Sequence, residues 1–120
     1  MPSIDRPLSG DFLRFDLDEE RERAADPELL AQHGRSARTL MKDGPLRVTL
    51  IAVGAGGEIA EHAAEGPITV QALTGSVTFT AAGEDHHIEP GELLALGAGV
   101  RHSVRSETGG SFLLTVSLPQ

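Results

Sequence analysis

The sequence predicts an all-β domain of the jelly-roll type, and three observations support this fold class. From Ser36 onward, short segments that alternate apolar and polar residues follow one another, which is the pattern of half-buried strands. Glycine-rich turns separate about nine such segments at regular spacing. Helical patterning is confined to the residues before Ser36. Many short strands with glycine turns and little helix are typical of β-sandwiches and jelly-roll barrels.

The composition is that of one globular domain. A chain of 120 residues can bury a single core, and the apolar fraction of 39% and charged fraction of 23% lie in the globular range. No apolar run approaches the roughly 20 residues that span a membrane, and the N-terminus lacks the basic-then-apolar layout of a signal peptide. We therefore expect a cytoplasmic protein that does not contact the membrane.

The residue types that are missing or scarce exclude several kinds of functional site. There is no cysteine, which excludes disulfides and thiolate metal sites. The net charge of -8 and the scattered basic residues argue against nucleic acid as a partner. With four Phe and no Trp or Tyr, aromatic stacking surfaces are scarce and a tyrosine general acid is excluded. Any metal ion must be held by nitrogen and oxygen ligands.

Residues 1–35 are predicted to form an N-terminal arm and a short helical part, and residues 36–120 the barrel. Phe12 and Phe15 are the aromatic residues of the arm, and we expect them to dock on a sheet or on a partner subunit. Residues 1–8 are expected to be a loose tail, because chain termini are poorly ordered unless other contacts fix them.

Helix signals lie between the arm and the barrel. The charged segment 16–25 predicts a short exposed helix. Asp26 and Pro27 are suited to the N-cap and the first position of a further helix, and Gly34 to its end. His33, in the last turn, is expected to be a surface residue near the negative end of the helix dipole and not a ligand.

Nine strands are predicted in the rest of the chain. Val77 and Phe79 alternate with polar residues and are expected to point inward. The last strand carries a row of apolar residues on one face, beginning at Phe112. The predicted strands span residues 37–42, 46–53, 58–62, 68–73, 76–81, 85–89, 92–96, 101–105 and 112–118.

Two segments of the predicted β region begin with glycine and contain one histidine each. The first runs from Gly56 to Gly75 and contains His62; the second runs from Gly91 and contains His102. Their spacing resembles the two motifs of the cupin superfamily, G-x5-H-x-H-x3/4-E-x6-G and G-x5-P-x-G-x2-H-x3-N. The resemblance covers most of the chain after the N-terminal part. It implies a cupin-type jelly-roll barrel.

The metal ligands of the family are only partly present. In cupins the two His and the Glu of the first motif and the His of the second hold one metal ion. Here Ala64 stands at the second His and Ile68 at the Glu. The resemblance therefore implies a cavity site built on His62 and His102. The alternative is that both are neutral histidines at the edge of the core, hydrogen-bonded to backbone carbonyls.

Gln71 is the candidate third ligand. It is a polar amide in an otherwise apolar strand, and its oxygen is suited to bind a metal ion or to orient a substrate. Strict alternation places Gln71 on the face opposite Ile68 and Val70, so that only a bulge or twist at the strand start would turn it into the cavity. A packed or interfacial amide, hydrogen-bonded to a neighbour, is the alternative.

Other polar residues near the motifs have a plainer interpretation. Glu61 and Glu65 flank His62 and are candidate carboxylate ligands, but we expect solvated turn residues there. His86 and His87 point to opposite faces of one strand and so do not converge on one ion. We expect His86 to be partly buried and His87 to be exposed.

One functional hypothesis is a metal-dependent enzyme. His62 and His102, with Gln71 as a third ligand, would hold a divalent transition metal such as Zn, Fe, Ni or Mn. The resemblance links such a metal to isomerase, lyase or dioxygenase activity.

A second hypothesis is a metal-free binding module. The two histidines would anchor a small molecule in an apolar cavity that Ile68 and Phe79 help to line. A third is a structural or regulatory protein with a filled barrel. The resemblance also implies a homodimer. The sequence does not decide between an enzyme and a binding protein.

Overall fold

The computed structural model describes residues 6–119, and within this range it contains two short helices and nine strands. This confirms the predicted all-β jelly roll. The helices are α1 (Leu17–Ala24) and α2 (Pro27–His33). The strands are β1 (Arg35–Asp43), β2 (Leu46–Val53), β3 (Glu58–His62), β4 (Ile68–Gly75), β5 (Val77–Ala81), β6 (Glu84–Ile88), β7 (Leu93–Leu96), β8 (His102–Arg105) and β9 (Gly110–Ser117).

The strands form two antiparallel sheets. The five-stranded sheet has the order β1-β2-β9-β4-β7, and the four-stranded sheet has the order β3-β8-β5-β6. Strands distant in sequence are neighbours in both sheets, as in a jelly roll. The two histidine-bearing strands, β3 and β8, pair directly with each other.

The helices begin and end where the sequence predicts. The side chain of Asp16 accepts hydrogen bonds from the first turn of α1, and that of Asp26 does so for α2. Pro27 occupies the first turn of α2, and Gly34 ends the helix with a left-handed φ of 75°. Within residues 6–119, no helix is long and apolar enough to cross a membrane.

The interior is divided into two apolar clusters. The inner cluster lies between the sheets and contains Val53, Ile68, Val70, Ala72, Val77, Phe79, Ile88, Val104 and Phe112. The outer cluster is made by Ala24, Leu40 and Leu50, with Phe15 and Leu17 packed against it. Phe15 therefore packs against the larger sheet, one of the two places expected for it, whereas Phe12 is 81% exposed.

Strand β2 contributes to both clusters because its two faces are covered. Val48 and Leu50 belong to the outer cluster, whereas Ile51 and Val53 belong to the inner one. An ion pair between Arg38 on β1 and the buried carboxylate of Glu20, with Nε and Oε1 2.6 Å apart, holds α1 on the outer face. The N-terminal helices are thus packed on the barrel.

Candidate functional site

A cavity of about 410 Å3 lies between the two sheets. The five-stranded sheet lines it with residues of β1, β2 and β9, and the four-stranded sheet with residues of β3, β5 and β8. Helix α2 closes one side. This volume is within the range of about 300–1,000 Å3 that small-molecule pockets occupy.

His62 and His102 lie side by side in the wall of this cavity. The register of β3 and β8 pairs the two residues directly, after an irregularity between Ile59 and His62. Their ring centroids are 4.3 Å apart and the ring planes are inclined by 60°. His102 is 3% exposed and therefore lies deep, whereas His62 is exposed at the mouth.

The hydrogen bonds of the two rings fix their tautomers. Nδ1 of His62 lies 2.9 Å from the carbonyl oxygen of Ala60, and Nδ1 of His102 lies 3.0 Å from that of Val100. A carbonyl oxygen only accepts, so both Nδ1 atoms must carry the proton and donate. In the neutral rings each Nε2 then keeps its lone pair. Among residues 6–119, neither Nε2 has a hydrogen-bond partner.

The floor of the cavity is aromatic. The rings of Phe79 and His102 are stacked, with centroids 6.2 Å apart and an interplanar angle of 29°. Phe79 in turn packs edge-to-face on Phe112 at 5.3 Å. Both phenylalanines are buried and both line the cavity. His102 is therefore a polar group set against an apolar surface.

Gln71 does not reach this cavity, which corrects its assignment as a ligand. It pairs with Leu93 and Leu113, and it lies on the same face of β4 as Leu73, which packs on the outer cluster. The irregularity between β4 and β9 falls at Ala72 to Thr74, beyond Gln71, so it does not turn the amide inward.

Of the two apolar residues assigned to the ligand, only one lines the cavity. Phe79 does, whereas Ile68 is buried in the inner cluster, away from the open space. The position of the family's Glu has thus become part of the packed core.

The donor set does not fit a metal centre with three protein ligands. Ala64 packs on the inner cluster, and Glu61 pairs on the exposed surface with Arg101, its Oε1 3.0 Å from Nε. Within the described chain, no three His, Cys, Asp or Glu side chains come together as they would around a metal ion. A catalytic zinc site needs three protein ligands and an open position. His33 also lines the cavity, but within residues 6–119 it does not form a group of three ligands with His62 and His102.

Three lining residues come from the N-terminal part, residues 1–35, that was predicted to lie outside the barrel. Leu29 and His33 belong to α2, and Arg35 is the first residue of β1. His33 is exposed, as predicted, but it also lines the cavity. Gly34 alone separates α2 from β1, and this tight link was the one signal in the sequence that α2 must stay beside the sheet.

The remaining histidines lie elsewhere on the four-stranded sheet. His86 is half-buried and His87 is exposed, as the alternation predicts, and His87 is 3.3 Å from the hydroxyl of Thr78. Neither lines the cavity. On the same sheet, hydrogen bonds from Arg105 and then from Thr80 lower the pKa of the exposed Asp85 below its ordinary value.

Comparison with known proteins identifies the fold. No protein-family model and no curated protein matches the chain. Among solved structures, a conserved protein of unknown function from Streptococcus pyogenes is 27% identical, over 74% of this chain and 78% of its own, with a TM-score of 0.68. A cupin-2 domain containing protein from Shewanella frigidimarina is 12% identical, over 86% and 93%, with a TM-score of 0.70. The chain has the cupin fold.

Another cupin-like match is an enzyme. Salicylate 1,2-dioxygenase from Pseudoaminobacter salicylatoxidans, in a structure of its adducts with gentisate, is 18% identical with a TM-score of 0.74. The match covers 86% of this chain but only 32% of the dioxygenase. At this identity the comparison shows a shared fold alone and gives no information about activity.

Proposed function

We propose that this cupin barrel is a metal-free binding protein for a small organic molecule, anchored by His62 and His102. The observation that carries the proposal is the pair of unpartnered Nε2 atoms, set against apolar walls in a cavity of ligand size. A few convergent polar groups in a mainly apolar cavity are the usual form of a small-molecule site. The hypothesis of a metal-dependent isomerase, lyase or dioxygenase is less well supported, because residues 6–119 contain no group of three candidate metal ligands.

The paired rings can form hydrogen bonds to a ligand only through their Nε2 atoms. Because the Nδ1 protons are engaged by Ala60 and Val100, the neutral rings offer only acceptors to a ligand. A hydroxyl group, or an N–H group, of the ligand would donate to them. If one ring takes up a proton, its Nε2 becomes a donor and can instead bind an anion.

The walls supply the affinity for the rest of the ligand. Ile51, Ile59, Phe79, Phe112 and Leu114 present apolar side chains to the cavity. Covering such surface is favourable by roughly 25 cal/mol per Å2 of apolar area removed from water, before the cost of immobilising the ligand is subtracted. A ligand with one polar group and a compact apolar body matches this lining.

Binding of probe molecules tests the proposal. Three probes of the same shape carry different polar groups: hydrocinnamyl alcohol, hydrocinnamamide and hydrocinnamate. We expect at least one to bind, and the double variant His62→Ala/His102→Ala to weaken that binding by about tenfold or more, because one or two hydrogen bonds to imidazole are lost. Titration followed by NMR measures the affinity. His87→Ala, at an exposed histidine outside the cavity, is the matched control.

Elemental analysis of the same samples tests the absence of a resident metal. We expect no stoichiometric transition metal in protein purified without chelator. Near-stoichiometric Zn, Fe, Ni or Mn in the wild type, absent from the double variant and retained by His87→Ala, would contradict the proposal and favour the metal-dependent enzyme.

A further inference from the structure

The titratable residues that line the cavity are all basic or imidazole side chains. They are His33, Arg35, His62 and His102, and none of the Asp and Glu residues in the described part of the chain joins them. The protein as a whole has 18 Asp and Glu against 10 Lys and Arg. Although the protein is strongly acidic, no described carboxylate side chain lines this cavity.

The deep part of the cavity wall is mostly apolar, with His102 and Ser36 as its buried polar residues. Phe79, Val104 and Phe112, which line the deep part, are each exposed by no more than 3%. His33, Arg35 and His62 are exposed and so lie at the mouth. The arrangement suits a ligand whose apolar end enters first and whose charged end stays at the mouth.

Arg35 has no acidic partner within residues 6–119. Arg21, Arg23, Arg38, Arg101 and Arg105 each form an ion pair with an Asp or Glu. No ion pair or side-chain hydrogen bond to Arg35 occurs among residues 6–119. A guanidinium group at a cavity mouth without an acidic partner is available to an external anion.

The backbone that carries His33 and Arg35 is held in place. Arg35 pairs with Val53 in the β1–β2 ladder. The carbonyl of Gly34 accepts a hydrogen bond of 2.9 Å from the backbone N–H of Gly54. A Cβ on Gly57 would lie 2.3 Å from that same carbonyl oxygen, so the two segments are in close contact. The mouth is thus built on fixed backbone, which reduces the cost of ordering it around a ligand.

We propose that the ligand is an organic monoanion with an apolar body, such as a carboxylate, and that Arg35 and His33 select it at the mouth. This inference rests on the proposed binding function. The guanidinium of Arg35 donates two parallel hydrogen bonds to the carboxylate, a geometry that a neutral amide does not reproduce. The apolar body then lies against Phe79 and Phe112.

Comparison of hydrocinnamate with hydrocinnamamide tests the inference, because the two probes differ in charge but hardly in shape. We expect the carboxylate to bind at least about tenfold more tightly than the amide, because charge-assisted hydrogen bonds are stronger than neutral ones. Arg35→Gln should reduce this ratio to about twofold or less, with the affinity for the amide unchanged. His33→Gln should reduce it in the same direction by a smaller factor.

Arg101→Gln is the matched control, because Arg101 is exposed and paired with Glu61 outside the cavity lining. It should keep the full ratio. The thermal melting curve of each variant shows whether it is folded, and both arginines are exposed, so folding should be retained.

Each alternative result has one meaning. If both probes bind equally, and the double histidine variant weakens both, the anion preference is wrong and the binding function stands. An unchanged ratio in Arg35→Gln would likewise contradict the assigned role of Arg35. If hydrocinnamyl alcohol binds but the carboxylate does not, the anion preference is wrong and the binding function stands. If none of the three probes binds at about 1 mM, the concentration at which a weak ligand of this size is detected, both proposals fail.

Discussion

The inner face of the two sheets has two parts that differ sharply. The inner cluster around Ile68 and Val70 is packed, with both residues at most 4% exposed. The cavity beside it is open and is lined by Ile51 and Ile59, which are only partly buried. Both parts use the same strand pattern and the same residue types. The comparison teaches that one sheet pair can fill one part of its interior with packed side chains and leave a cavity of ligand size in the other.

The largest expected effect is on the free energy of unfolding. It is tested by making the same substitution, Ile to Ala, once in the packed cluster and once at the cavity wall. Ile68→Ala should destabilise the protein by about 3 kcal/mol, since it leaves a hole in the packed cluster. Ile59→Ala, at the cavity, should cost about 1 kcal/mol or less, because its side chain already faces open space. Denaturant unfolding of both variants measures the difference. Equal losses would show that the cavity wall is as tightly packed as the cluster.

A second prediction concerns the contact that holds α2 beside the cavity. Gly57→Ala should destabilise the protein by about 1–3 kcal/mol, because the new methyl group meets the backbone carbonyl of Gly34 and must push the segments apart. Binding of hydrocinnamate should weaken with it, since His33 and Arg35 move. Thermal melting and NMR titration measure both effects.

Gly97→Ala is the matched control for that prediction. The nearest atom to a Cβ on Gly97 is 4.0 Å away, on the side chain of Val100, and the φ of Gly97 is not positive. This variant should melt and bind like the wild type. If it is as damaged as Gly57→Ala, the loss comes from replacing a loop glycine and not from the contact with α2.

The smallest expected effect lies outside both parts, at the exposed pair of Asp85 and Arg105. The pKa of Asp85 is lowered in the folded protein by its hydrogen bonds from Arg105 and Thr80. The pair therefore contributes stability above the ordinary carboxyl pKa of 3.8 and loses it as the pH falls through the lowered value. Asp85→Asn should melt slightly lower than the wild type at neutral pH, and the two curves should converge at acid pH, below the lowered pKa of Asp85.

Glu84→Gln provides the comparison for Asp85→Asn, since Glu84 is an exposed neighbour on the same strand. It should leave the melting temperature unchanged at both pH values. A gap between Asp85→Asn and the wild type that persists at low pH would contradict the role of the ionised carboxylate.

Local signals in the sequence predicted most of the fold. The alternation of apolar residues and the glycine turns gave nine strands close to their observed bounds, and Asp26 and Gly34 marked the ends of α2. These features depend on residues close in sequence, so one chain is enough to predict them. The spacing of two motifs also indicated His62 and His102 as neighbours in space.

The remainder of the site depends on contacts between distant residues. Gln71 required a bulge at the start of its strand, and the observed irregularity lies beyond it. His33 and Arg35 reach the cavity because Gly34 packs on Gly57, a contact that no periodic pattern encodes. The homodimer stays a prediction, with the exposed Phe12 as its candidate anchor.

The position of β9 links the site to the order of folding. This last strand lies between β2 and β4 at the centre of the larger sheet and supplies Phe112 and Leu114 to the cavity. Its partners are far away along the chain, and such long-range pairings form slowly because a large loop must close first. The cavity is therefore completed only when β9 has joined β2 and β4 in the larger sheet. A ligand that needs this complete cavity binds the folded protein and not the unfolded chain, and by mass action it stabilises the folded state.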